Sequence, residues 1–101
     1  MEEYEAVEEL RLYINERYIP SSNDDFIRRI WKEDEIEDYE FSDDYKCFII
    51  DSVKGFKISI NTETTEVYMI VGNQARILCK DDLRIMMKLE KIKRLINEGC
   101  E

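Results

Sequence analysis

The chain has 101 residues, 24 acidic against 15 basic, no histidine and a formal net charge of −9. That length suits one compact domain, and 44% apolar residues supply a modest core, which excludes wholesale disorder. The charge argues against generic nucleic-acid or anionic-membrane binding, and the missing histidine removes the commonest general base and metal ligand.

Residues 2–18 have the pattern of an amphipathic helix. Tyr4, Val7, Leu10 and Ile14 recur at 3-3-4 spacing, with glutamates over much of the remaining surface. Pro20 ends it, because the residue before a proline is pushed away from helical angles. Ser22 or Asn23 then caps a second helix predicted to run to about residue 34, with Phe26, Ile27, Ile30 and Trp31 as its stripe.

Residues 33–44, EDEIEDYEFSDD, hold eight carboxylates and no base. From residue 35 to 44 they are expected to form an acidic connector. Beyond them the periodicity changes to that of strands. Tyr45–Val53 is rich in β-branched and aromatic residues and is followed by a two-residue turn at Lys54-Gly55. Phe56–Ile60 alternates strictly, a four-residue loop is expected at 61–64, and Thr65–Val71 is the third strand. Gly72-Asn73 makes a tight hairpin into the fourth, Gln74–Cys79.

These turns place Phe56, Ile58, Ile60, Val67, Met69, Val71 and Leu78 on one face. Gln74 and Arg76 join them near the turn, which suits an edge strand. The Lys54-Gly55 turn adds Ile49 and Val53 to that face, and with them Asp51, so either that pairing slips or Asp51 lies where water reaches it. The opposite face then carries Phe48, Ile50, Tyr68, Ile70 and Ile77 beside Lys57, Ser59 and Glu66. Asp81 or Asp82 caps a last helix running to about Glu98, striped by Ile85, Leu89, Ile92 and Ile96, with Gly99 at its C-terminal cap. Leu89 and Ile92 are expected to seal Ile58, Val67 and Met69.

The expected architecture is α+β: a four-stranded antiparallel β-meander with two N-terminal helices and one C-terminal helix, in the order α-α-β-β-β-β-α. A single domain spans 1–101, divided into a helical part (1–34), an acidic connector (35–44), the meander (45–79) and the last helix (80–99).

Three cysteines, Cys47, Cys79 and Cys100, form no C-x-x-C pair. An odd set without that spacing suits a reduced, cytoplasmic protein, with Cys47 and Cys79 as apolar filler in strands. No metal site is expected, since neither Asp81-Asp82 nor 33–44 has the glycine-punctuated spacing of a calcium loop. Three glycines make no phosphate loop, and a cysteine nucleophile has no histidine to serve as its base. The expectation is a protein without catalysis or cofactor.

Charge is unevenly spread. Residues 1–51 carry 17 acids and 6 bases, whereas residues 52–101 carry 7 acids and 9 bases. The acidic run is the candidate site: Glu33, Asp34, Glu35, Glu37, Asp38 and Glu40, with Tyr39 and Phe41 as apolar anchors. Such a set suits a basic protein surface built for nucleic acid, because closely spaced carboxylates present anions much as phosphates do.

In size, charge and mixed α/β composition the chain is similar to small acidic phage proteins that block host nucleic-acid enzymes, anti-CRISPR proteins among them. It is similar in the same respects to acidic bacteriocin-immunity proteins and antitoxins. The resemblance implies an inhibitor acting in the cytoplasm, of the host cell if the protein is viral. The β-β-β-α tail resembles double-stranded-RNA-binding domains in element order, but Lys80-Asp81-Asp82 stands where such domains begin their last helix with lysines, so no direct nucleic-acid contact is expected. A homo-oligomer assembled through the apolar second sheet face is the alternative.

Overall fold

A computed structural model describes residues 2–19 and 35–98. Among them are two helices and five strands: α1 (Glu3–Tyr18), β1 (Ile36–Phe41), β2 (Cys47–Ser52), β3 (Lys57–Asn61), β4 (Val67–Val71), β5 (Gln74–Cys79) and α2 (Leu83–Glu98). The strands form one antiparallel sheet in the order β1-β2-β3-β4-β5. The second N-terminal helix expected over 22–34 lies outside the described residues.

The class is α+β, but a sheet of four strands is overturned. The stretch expected as an acidic connector holds β1, paired with β2 from Ile36↔Ser52 to Phe41↔Phe48. Its carboxylates mask the strand pattern. Ile36 is buried and Tyr39 and Phe41 are half-buried, while Glu37, Asp38 and Glu40 are exposed. A bulge at Glu37 lets two acidic residues follow one another without breaking that division.

The β2–β3 turn is the second correction. Ser52 N donates to Phe56 O, closing a three-residue loop, Val53 to Gly55, instead of two residues. Gly55 ends the loop at φ +89°, the left-handed position that such hairpins require. One added residue reverses every side chain of β2 relative to β3. Phe48, Ile50 and Ser52 therefore join Ile58 and Ile60 on the covered face, and Ile49 and Asp51 turn away. The reason is energetic. The expected register would have put Asp51 among core residues, at a cost of several kcal/mol unless partnered. Instead Asp51 lies on the open face with Lys57 Nζ at 3.7 Å.

The other hairpins keep the expected parity. Asn61 N donates to Glu66 O, so the four-residue loop occupies 62–65, with Thr65 at φ 58°. Gly72-Asn73 is a two-residue loop closed by Val71↔Gln74, with Gly72 at φ 60°. A bulge between Val67 and Tyr68 shifts β5 and brings Leu78 and Cys79 against the core. The remaining β5 side chains are exposed, as befits an edge.

Both described helices pack on one face. Val7, Leu10 and Ile14 of α1 are fully buried, as are Ile85 and Ile92 of α2, with Leu89 4% exposed. They form one cluster with Phe48, Ile50, Ile58, Ile60, Val67 and Met69, as expected of Ile58, Val67, Met69, Leu89 and Ile92. Tyr4, expected on the α1 stripe, is 48% exposed, and Ala6 is buried in its place. The helices run antiparallel: Tyr13 and Tyr18 reach Asp82, and Glu9 reaches Lys88. No described helix is long and apolar enough to cross a membrane.

Candidate functional site

β1 ends the sheet, so one of its edges has no neighbouring strand among the described residues. Glu35, Glu37, Asp38 and Glu40 are exposed along it. Glu33 and Asp34 lie outside the described residues. Asp38 stands opposite Asp51 across the β1–β2 pair, next to the Asp51–Lys57 contact.

The two aromatic residues of the run face the helices. The Tyr39 ring lies 6.2 Å from that of Phe48 and 6.5 Å from that of Tyr4. Its hydroxyl donates to Glu3 Oε2 at the start of α1. Burial together with the Glu3 carboxylate pushes the Tyr39 phenol up to about 12. Phe41 packs 4.6 Å from Phe48 and 5.6 Å from Tyr45, ring centre to ring centre. Both aromatics thus pin the acidic strand to the core while remaining partly accessible.

The turn after β1 is held by its own side chains. Ser42 Oγ donates to Asp44 Oδ1 at 2.7 Å, and the same oxygen accepts Lys46 N at 3.0 Å. These bonds hold the Asp44 carboxyl below the usual range. Tyr45 takes φ 57° here, and Lys93 of α2 sits 5.1 Å above its ring.

Strand, turn and both helices meet at a hollow of about 360 Å³. Tyr39, Phe41 and Tyr45 contribute aromatic surface, and Glu3, Glu40 and Asp43 contribute carboxylates. Ser42 and Ile96 complete it. A ring face attracts a cation and a carboxylate pairs with one, so this combination suits a Lys or Arg side chain. Of the sequence-derived candidates, the structure brings Tyr39, Glu40 and Phe41 to this hollow. Glu35, Glu37 and Asp38 remain along the strand, outside its lining. Glu3, Asp43 and Tyr45 come from outside the candidate set, and the adjacency of Glu3 to residue 39 leaves no trace in the sequence.

A second cluster was also hidden. Asp82 accepts hydrogen bonds from the hydroxyls of Tyr13, at 2.7 Å, and Tyr18, and from Arg84 N at 3.0 Å. It therefore caps α2 while tying down α1. Burial alone would raise its pKa, but the hydrogen bonds from Tyr18, Tyr13 and the backbone of Arg84 and Ile85 outweigh burial and lower it. Both phenols move up, chiefly through burial and the bond to Asp82. The Arg17 guanidinium lies 4.0 Å from Asp82 and about 6 Å from both rings. The sequence signal was the capping aspartate alone.

Cys79 lies beside this cluster, its thiol pushed up to about 11, chiefly by burial. That opposes thiolate chemistry. Cys47 is on β2 and Cys79 on β5, three strand spacings apart, roughly 14 Å, which no disulfide bridges. Among the described residues no cluster of three or more metal-ligating side chains occurs.

Comparison with protein-family models, curated proteins and solved structures finds no match for this chain.

Proposed function

We infer that this is a small non-enzymatic binding protein that acts in the cytoplasm by occupying a basic surface of a partner protein, in the manner of an inhibitor. The hollow between β1, its turn and the helices carries the reading: aromatic surface with Glu3, Glu40 and Asp43 around it accepts a Lys or Arg side chain. The exposed carboxylates of Glu35, Glu37 and Asp38 extend the acidic surface along the strand. A partner surface built for nucleic acid presents the matching cations, and opposite charges speed the encounter.

The test is binding of a labelled arginine-rich peptide, with both rates measured at two salt concentrations. Wild type is expected to bind with an on-rate that falls as salt rises. The triple variant Glu37→Lys, Asp38→Lys, Glu40→Lys is expected to lose at least about tenfold in on-rate while keeping its circular dichroism. Undiminished binding by that variant overturns the reading.

One observation favours assembly of like chains instead. On the sheet face away from the helices, Ile77 is 53% exposed beside half-buried Ile49, Tyr68 and Ile70. Sedimentation separates the two readings: a charge-driven binder stays monomeric at either salt, and a sheet-face oligomer stays assembled in high salt.

A further inference from the structure

Arg84, Lys88, Lys91 and Arg94 follow one another along α2 at steps of four, three and three, so they share one side of the helix. Together they border a groove of about 450 Å³ between the helices, completed by Ala6, Glu9, Tyr13 and Met87. Lys88 is neutralised from across the groove by Glu9 at 3.5 Å. The side chains of Arg84, Lys91 and Arg94 form no ion pair among the described residues. Such a run is notable in a chain with 24 acids to 15 bases. Like charges at these spacings repel, and an anion set among them relieves the repulsion.

The groove is not only cationic. Met87 is 69% exposed within it, and Leu83, one turn earlier on the same side, is 72% exposed. A bare phosphate would use the cations and leave this apolar shelf wet. An acidic segment with an apolar side chain would use both. We propose that the α1/α2 groove docks an acidic peptide segment of a partner protein, its carboxylates on Arg84, Lys91 and Arg94 and an apolar side chain on Met87 and Leu83. The site is opposite in sign to the β1 hollow.

The probe is a fluorescein-labelled peptide of glutamates interspersed with leucines, followed by anisotropy. Two further probes accompany it: a glutamate-only peptide and a single-stranded oligonucleotide. The Glu/Leu peptide is expected to bind best. Lys91→Glu with Arg94→Glu should weaken it at least about tenfold, and Met87→Ser several-fold. If reversal unfolds the domain, Lys91→Gln with Arg94→Gln measures the same contrast. Lys93→Glu, which alters the cation above Tyr45, should leave binding unchanged. Wild-type affinity in the Lys91/Arg94 variants would overturn the proposal. So would equal binding of the glutamate-only peptide, or tighter binding of the oligonucleotide through the same cations.

Discussion

Asp82→Ala tests the link between the helices. The carboxylate, whose side chain is 11% exposed, caps α2 and accepts both tyrosine hydroxyls. Losing an N-cap costs about 1 kcal/mol. Hydrogen bonds to a charged group are worth roughly 1.5–3 kcal/mol each. Tyr13 and Tyr18 are only half-buried, so their freed hydroxyls can turn to water, and about 1 kcal/mol apiece is the sounder figure. The expected total is about 3 kcal/mol, a large share of the ~5–15 kcal/mol that holds a typical domain. In urea melts the midpoint should fall by roughly 1–3 M without a change in slope. Asp82→Asn should also alter the acid limb. Because Asp82 titrates below its ordinary value in the fold, its contribution is present above pH about 4 and is lost as pH falls through the folded value. The gap between wild type and Asp82→Asn should therefore narrow below pH about 4. Glu9→Gln, which breaks a surface pair, should change stability by less than about 0.5 kcal/mol. A loss from Asp82→Ala below about 1 kcal/mol, or full additivity with Tyr18→Phe, would refute the reasoning.

Two other outcomes are expected. Tyr39 is raised to about 12, and Tyr13, Tyr18 and Tyr68 are raised as well. Their contribution is intact below the unfolded value near pH 10 and is lost as pH rises through the folded values; parallel phenolate absorbance and circular dichroism should show unfolding accompany ionisation. Ile50→Lys should unfold the domain, because Ile50 is fully buried, whereas Ile49→Lys on the open face should leave a cooperative melt; the reverse ranking would mean the β2 register is wrong.

Local chemistry was sufficient wherever a short rule set the geometry. Alternation revealed β3, Gly72-Asn73 fixed the β4–β5 hairpin, and 3.6-residue spacing selected Val7, Leu10, Ile14, Ile85, Leu89 and Ile92 for the core. An aspartate before a helical stripe named the α2 cap. The sequence could not choose between two and three residues in the turn at Gly55, because a left-handed glycine serves either hairpin. That single residue decides which face Ile49 and Ile50 occupy. Only tertiary packing could show that 36–41 is a strand. Its hydrogen bonds come from β2, and its isoleucine and aromatics are buried by residues distant in the chain, so its acidic composition reads locally as a solvated loop. The same holds for the candidate sites. Tyr18 beside Asp82 and the α2 cations facing Glu9 are neighbours only because the two helices lie antiparallel on one face of the sheet, and Glu3 meets Tyr39 only because α1 packs against that face beside β1. Contacts between residues so far apart depend on how whole elements share a buried surface, and no short-range pattern records that choice.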